Sequence, residues 1–474
     1  MIHIPVFRAG QPYRSLQTET LTDVRDGSAV AEVSQALPGI IARDLRDMAA
    51  RQASLERFTA AELIDICHRA APLFAEGELP LGDTTQSADG YLQCLAATTG
   101  MPIAMGRANM AKIRGMLEGI EQVLDGLTRG LDLSVLDGGW GRQDGRRLSY
   151  LRQTDALGAV LPNNSPGVHN LWIPAIPLKV PLVLKPGSAE PWTPYRIAQA
   201  MIAAGCPAEA FSLYPTSHAG ASELLLRTGR ALFFGDASTV AAWKGQGKVQ
   251  VHGPGWSKVL LGDDAAADWA EYLDLMVTSV AANGGRSCIN ASGVWAPQNA
   301  REIAEGLAER LAQIEARPLD DPEAQLAAFA DPVIAERVSE MIDQQLDIPG
   351  AVDLTAKYRT ADRLARAGGC TFLLPTVVYC EDADHPLASA EFMFPFVSIV
   401  EAPCDTMLEQ IGETLIGSVI SRDESFLNQA LASRHIDRLN LGAIPTYQIS
   451  WDQPHEGNLF DHLYQQRAFQ ALAS

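Results

Sequence analysis

Apolar residues recur at spacings of three and four, with charges between them, over Ala60–Phe74 and Met105–Leu127. That period predicts amphipathic helices, and the first 130 residues read mainly as helix. Leu131–Leu136 and Arg146–Leu151 flank the run Asp137-Gly-Gly-Trp-Gly and read as two strands of a surface hairpin. From 155 to 262 short apolar runs alternate with helical stretches. Leu157–Leu161, Val180–Leu184, Phe211–Tyr214, Ala231–Phe234, Val249–Val251 and Val259–Leu261 are strand-like. Between the second and third, Thr193 can cap a helix, Pro194 suits its first turn, and Gly205-Cys-Pro207 ends it. Its stripe is Ile197, Met201 and Ile202. Repeated strand–helix units of this length imply a parallel sheet wrapped by helices, which binds ligands beyond its carboxyl-terminal edge. A dinucleotide is the leading candidate, although no Gly-x-Gly-x-x-Gly follows any of these strands. A second block, from about 252 to 440, has helical patterns at Ala265–Ala281 and Arg301–Ala316, with strands near Ala291–Trp295 and Phe372–Val378.

A chain of 474 residues exceeds one ordinary core, so two large domains are expected. Its 47% hydrophobic and 20% charged residues have the balance of a folded globular protein. Net charge is −20, which disfavours nucleic acid and anionic membranes because no basic stripe exists to displace counterions. No window approaches the roughly 18–20 apolar residues of a membrane span. Residues 1–8 show no basic segment leading into an apolar one, so a cytoplasmic location is expected. Seven scattered cysteines with no Cys-x-x-Cys argue against a disulfide framework and a structural zinc site, so no metal is expected.

One cysteine is placed as a nucleophile would be. Asn283-Gly-Gly-Arg-Ser-Cys288 follows a helical pattern and leads into an apolar strand. The Gly-rich turn can supply backbone amides, which favour a thiolate. A buried filler thiol is the alternative on these residues alone.

Five further segments stand in order around Cys288: Leu161-Pro162-Asn163-Asn164-Ser-Pro166, Leu184-Lys185-Pro186-Gly-Ser188, Ala204-Gly205-Cys-Pro207 with Phe211–Pro215, Phe234-Gly235-Asp-Ala-Ser-Thr, and Glu391-Phe-Met-Phe-Pro395. From about Leu148 onward the chain resembles the aldehyde dehydrogenase superfamily. The resemblance implies an α/β protein of aldehyde dehydrogenase type, with two parallel-sheet α/β domains and a small oligomerisation arm. Residues 1–130 and 152–251 would bind NAD or NADP, 252–440 would carry the thiol, and 131–151 with 441–474 would form the arm and tail of a homodimer or pair of dimers. It makes Cys288 the nucleophile and assigns the oxyanion to the Asn164 side chain and the Cys288 backbone N–H. One such donor is worth about 2.7–4 kcal/mol of barrier. Pro162, Lys185, Ser188, Gly235 and Glu391 fall on the family's cofactor positions, with Lys185 and Glu391 at the two riboses.

The sequence also departs from that pattern. Hydrolytic members use a Glu to activate the water that clears the thioester, and His252 stands there, about three dozen residues before Cys288. A His is itself competent as a general base. The alternative is transfer to coenzyme A, as in the acylating, long-chain acyl-CoA reductase-like branch, which Met393-Phe-Pro-Phe396 and Thr99-Gly-Met-Pro102 resemble more closely. Acyl transfer is the favoured expectation. Hydrolysis with His252 as base, and a decayed homologue with a binding or structural role, are the alternatives. Asp236 and Val240 break the turn after Gly235, and Asp236 opposes a pyrophosphate at that helix N-terminus. Ser188 stands where an acid often disfavours NADP, a role open to Glu190 only through an insertion. His455–His462 reads as a solvated or interface segment, since its spacing fits no zinc pattern. Trp172, Trp256 and Tyr447 are expected near the substrate pocket, and Trp451, Phe460 and Tyr464 near the entrance or subunit contacts.

Overall fold

The computed structural model describes residues 1–46 and 48–470, so the last four residues of the tail, 471–474, lie outside the described residues. Two seven-stranded sheets organise the chain. The first contains Val6–Arg8 (β1), Gln11–Tyr13 (β2), Leu157–Val160 (β3), Leu182–Lys185 (β4), Phe211–Leu213 (β5), Arg230–Phe234 (β6) and Val249–His252 (β7). Its order is β7-β6-β3-β4-β5-β1-β2, with β3 to β7 parallel and β1 and β2 antiparallel at one edge. Strand β3 is buried along its whole length, the pattern of a strand covered on both faces. A Cβ at its Gly158 would lie 2.5 Å from Thr228 Oγ1 and 2.7 Å from Leu224 Cδ2, so only glycine lets the helix His218–Arg227 pack this closely. The chain runs from β3 out through β4 and β5, then returns to the other side for β6 and β7. The crevice at that reversal receives the ends of β3 and β6, which places Pro162–Asn164 opposite Gly235–Asp236.

The second sheet contains Lys258–Leu261 (β8), Gly293–Ala296 (β9), Ala351–Asp353 (β10), Thr376–Cys380 (β11), Phe396–Glu401 (β12), Thr414–Ile420 (β13) and Ile436–Leu441 (β14). Its order is β10-β11-β12-β9-β8-β13-β14, parallel except for β10. Five residues, 253–257, connect the two sheets.

The helices that matter for the site are Ala60–Glu76 (α1), Ile103–Glu118 (α2), Ile120–Thr128 (α3), Trp192–Ala203 (α4), Ala237–Ala241 (α5) and Leu273–Ala281 (α6). Helix α4 is buried almost throughout and carries Arg196 in the core. That guanidinium donates to the carbonyls of Phe74 (2.8 Å), Gln86 (3.0 Å) and Gly77 (2.8 Å), so three otherwise orphaned acceptors share one cation.

Several elements differ from their sequence expectation. The first 34 residues hold five short strands rather than helix, and the 105–127 pattern is two helices parted at Gly119. The strand expected at Leu131–Leu136 is replaced by the helix Ser134–Gly138, because the Asp132 carboxylate accepts from Ser134 N (2.9 Å) and turns the chain. The hairpin is instead Gly141–Gln143 with Arg146–Leu148, and Tyr150–Arg152 pairs with the tail strand Tyr464–Gln466. The Ala265–Ala281 pattern breaks into Asp263–Ala267, a 3₁₀ turn and α6, and Pro375 splits the strand expected at Phe372–Val378. Thr193 is not the cap of α4. It sits inside the first turn, where Glu190 Oε1 accepts from both its N–H (2.8 Å) and its hydroxyl (2.6 Å). Among the described residues no helix is long and apolar enough to cross a membrane.

Candidate active site

The turn that presents Cys288 follows α6 and is built from three successive left-handed residues, Asn283 (φ 52°), Gly284 (φ 66°) and Gly285 (φ 68°). A Cβ at Gly285 would lie 2.4 Å from the Phe394 carbonyl carbon and the Pro395 nitrogen, so this glycine lets the 391–395 segment press on the turn. Asn283 secures it from below: its amide donates to Ser165 Oγ (3.1 Å) and Ser287 Oγ (3.2 Å), and its oxygen accepts from Asn109 Nδ2 (2.7 Å).

The connection between the sheets lies directly on the cysteine. A Cβ at Gly255 would stand 1.9 Å from the Cys288 carbonyl oxygen, to which Ser257 Oγ donates at 2.8 Å. Glu391 holds this connection, one oxygen accepting from Gly255 N (3.1 Å) and the other from Trp256 N. Burial raises its carboxyl pKa to about 7, against those two backbone hydrogen bonds.

The Cys288 thiol donates to Glu456 Oε1 at 3.2 Å, and Glu456 Oε2 is hydrogen-bonded to His252 Nδ1. The imidazole stacks on Phe234 (centroids 4.4 Å apart, 12° between planes), and its Nε2 is buried with no hydrogen-bond partner among the described residues. Burial is the largest single influence and opposes the Glu456 charge, but the His252 hydrogen bond, the charges of His252 and His455 and the Cys288 hydrogen bond together outweigh it and hold the carboxyl well below its ordinary range. The same burial, with the charges of Glu456 and Glu391, pushes the Cys288 thiol well above its ordinary value. The resting site is therefore a thiol, a carboxylate and an imidazole in series. Such a series can move a proton off sulfur into Glu456 without exposing a charge to solvent.

The placing of His455–His462 overturns the expectation of a solvated or interface segment. Glu456 is only 8% exposed, and His455 Nδ1 accepts from Arg438 at 3.0 Å. Gly457 (φ 69°) turns the tail so that Gln250 donates to the Glu456 carbonyl. Contacts across about 200 residues of chain leave no local sequence signal, and Glu456 was legible only as an acid in an aromatic tail. Trp172 is likewise not a pocket residue: it is fully buried in the core, donating to His169 Nδ1 (3.0 Å). Phe460 and Tyr464 also belong to this chain's own core. Trp451 does line a cavity of about 630 Å³ whose other walls include Met116, Leu127, Leu171 and Leu232 and which reaches His252 and Glu456. Tyr447 lines a second cavity, of about 640 Å³, against Ser287 and Ile289, the neighbours of Cys288.

Asn164 donates from Nδ2 to the Arg286 carbonyl (2.9 Å), leaving its second N–H near only the Met393 sulfur, 3.9 Å away. Pro162, Ser188 and Gly235 gather in the crevice of the first sheet. A Cβ at Gly187 would meet the Pro162 carbonyl at 2.5 Å, and Asn163 holds the Ser188 turn through Ala189 N (2.8 Å). Lys185 ends β4 largely buried and makes no hydrogen bond or ion pair with the described residues, an amine left for a hydroxyl-bearing ligand. Glu190 cannot take a ribose: it is buried, one oxygen spent on Thr193 and the other 3.1 Å from His169 Nε2. The Asp236 carboxylate caps α5, accepting from Thr239 N (2.9 Å).

The sequence profile of the aldehyde dehydrogenase family matches residues 19–432, and the chain belongs to that family. It is 27% identical over 292 residues to the 1-pyrroline-5-carboxylate dehydrogenase of Geobacillus thermodenitrificans (strain NG80-2), and 28% identical over 290 residues to that of Geobacillus kaustophilus (strain HTA426). Each match covers 56% of this chain and 55% of the relative, little more than half its length. The fold is similar to a variant of the Thermus thermophilus 1-pyrroline-5-carboxylate dehydrogenase (TM-score 0.78, 16% identity, 98% of this chain and 92% of that one). It is also similar to an indole-3-acetaldehyde dehydrogenase complexed with NAD+ (TM-score 0.73, 17% identity, 98% and 96%).

Proposed function

We propose that this protein oxidises an aldehyde with NAD or NADP through a thioester on Cys288, and releases the product as a carboxylic acid by hydrolysis. The Cys288–Glu456–His252 series carries this reading. Glu456 takes the thiol proton as sulfur bonds to the aldehyde carbon, and the Asn164 amide and Cys288 N–H face the resulting oxyanion. NAD or NADP, held beside Pro162, Lys185, Ser188 and Gly235, would supply the hydride acceptor for the oxidation to the thioester. Glu456 then releases the thiol proton to solvent through the cavity that reaches it and His252, takes a proton from water as it attacks the acyl carbon, and returns that proton to the departing sulfur, restoring the thiol.

The sequence favoured acyl transfer to coenzyme A because His252 replaces the usual Glu. A carboxylate 3.2 Å from the sulfur supplies the missing base from another part of the chain and removes that argument. A hydrogen-bonded Cys288–Glu456–His252 series also speaks against a decayed site. In this reading the first sheet holds the cofactor beside Pro162, Lys185, Ser188 and Gly235, with Glu391 bracing the reacting loop. Glu190 is engaged elsewhere and position 188 is a serine, which supports use of NADP as well as NAD, while Glu19 is the acid within electrostatic range of Lys185. The exposed Trp140, in a tilted ring contact with Phe469 beside the 141–148 hairpin, supports assembly through arm and tail as a homodimer or pair of dimers.

The test is a panel of aldehydes with NAD+ or NADP+, with and without coenzyme A, followed by product analysis. Carboxylic acid formed without coenzyme A, and lost in Cys288→Ser, is the expected result. Acyl-CoA formed only in its presence would establish the acylating reading. No cofactor reduction at all, with Cys288→Ser indistinguishable from wild type, would establish decay.

A further inference from the structure

Helix α2 passes the catalytic turn with a mainly apolar inner face, Met110, Ile113, Met116 and Leu117 being buried beside Asn109. One position on that side is a cation. Lys112 lines the 640 Å³ cavity with Asn109, Ser165, Asn283, Ser287 and Tyr447, so it shares a chamber with the residue preceding Cys288. Among the described residues its ammonium makes no hydrogen bond or ion pair. Its electrostatic neighbours are Cys288 and a second cation, Arg438, and burial lowers its pKa to about 8. Glu456, the nearby acid, is already committed to His252 and Cys288.

A partly buried ammonium without a counter-ion is less well solvated than one in bulk water, and a protein that keeps one in a chamber beside its nucleophile gains from a ligand that brings the charge. The remaining walls offer hydroxyls and amides, which are neutral donors. One cation with neutral donors balances a single negative charge, matching a carboxylate better than a doubly charged phosphate. We propose that Lys112 anchors a carboxylate at the far end of the substrate, so that the preferred aldehydes are short semialdehydes of dicarboxylic acids. The anchor sets which aldehyde is held over Cys288. The inference rests on the aldehyde-oxidising reading, and its test separates the two.

The ratio of kcat/KM for succinic semialdehyde to that for pentanal is measured in wild type, Lys112→Met and Lys112→Arg. Binding of glutarate, a dead-end anion, is followed in parallel by calorimetry. The wild-type ratio is expected to fall roughly 10- to 100-fold in Lys112→Met, chiefly through KM, and to recover in part in Lys112→Arg. Glutarate binding should be lost in Lys112→Met. A phosphorylated aldehyde preferred over both substrates would overturn the choice of carboxylate. A wild-type ratio near one would overturn the anchor while leaving aldehyde oxidation standing. So would an equal loss on both substrates in Lys112→Met, with a shifted pH midpoint for Cys288 alkylation, because Lys112 would then act on the thiol. If no aldehyde is oxidised yet glutarate binds through Lys112, the anchor stands and the catalytic reading fails.

Discussion

Glu456 lies 168 positions beyond Cys288 in the chain, yet its Oε1 accepts the thiol proton's hydrogen bond at 3.2 Å. The other oxygen of the same carboxylate is bonded to His252, at the end of β7. The tail thus closes a hydrogen-bonded path between the last strand of the first sheet and the turn that precedes β9 of the second. The substitution of His for an acid at position 252 and the arrival of an acid from the tail are two halves of one arrangement.

Replacing Glu456 by Gln keeps the shape and removes the base. General-base loss of this kind costs about 10²- to 10⁴-fold, so kcat should fall within that range. Because hydroxylamine attacks a thioester without protein assistance, it should restore cofactor reduction to the variant. Steady-state rates with and without hydroxylamine check this. Failure of the rescue would mean that Glu456 serves only the first proton transfer, from sulfur.

The same substitution should make the resting thiol more acidic. Burial, then the charges of Glu456 and Glu391, raise the Cys288 pKa, so removal of one charge lowers it. Iodoacetamide alkylation of Cys288, followed by mass spectrometry across pH, should be slow near neutrality in wild type. Its midpoint should move to lower pH in Glu456→Gln. A midpoint that rises would show the carboxylate to be protonated in the resting enzyme.

Much of this was legible in the sequence. The parallel strands of the first sheet were, because strands buried on both faces are continuous apolar runs, as in β3. Cys288 was marked by two glycines whose left-handed conformations and close contacts demand them. The short strands near the N-terminus were not legible: Thr18–Thr22 exposes four of five residues and has no apolar signature. Leu131–Leu136 alternates like a strand, and only the Asp132 hydrogen bond to Ser134 turns it into helix. Glu456 was hidden for a different reason. Its role depends on Gly457, Gln250 and His252 meeting it in space, and no periodicity encodes contacts over such separations.

Stability should follow the ionisation of Glu456. In the unfolded chain this carboxyl titrates near its ordinary value of 4.5, whereas in the fold it is held down to about 2. The unfolded state therefore binds more protons between these values, and stability rises with pH through that window. The contribution is fully present above about pH 5 and is lost as pH falls towards 2, a range of a few kcal/mol. Urea midpoints for wild type and Glu456→Gln should accordingly differ most near pH 6 and converge towards pH 3. A constant difference across that range would contradict the depressed pKa.

The connection over Cys288 offers a paired steric test within one loop. At Gly255 an added methyl would stand 1.9 Å from the Cys288 carbonyl oxygen and 2.7 Å from its carbon, both backbone atoms that cannot rotate away. At Gly253, two residues earlier, the nearest atom would be Val240 Cγ2 at 3.3 Å, the tip of a side chain that can give. Gly255→Ala should therefore push the loop off the cysteine, break the Ser257 hydrogen bond to its carbonyl, and cost about 1–3 kcal/mol of stability, as overpacking does. Because a displacement of roughly 1 Å costs about 100-fold in rate, kcat should fall by at least that much. Gly253→Ala should stay within a few-fold of wild type in both respects. Thermal melts and steady-state kinetics on the two variants distinguish the outcomes: equal behaviour would mean that the 253–257 connection does not position Cys288.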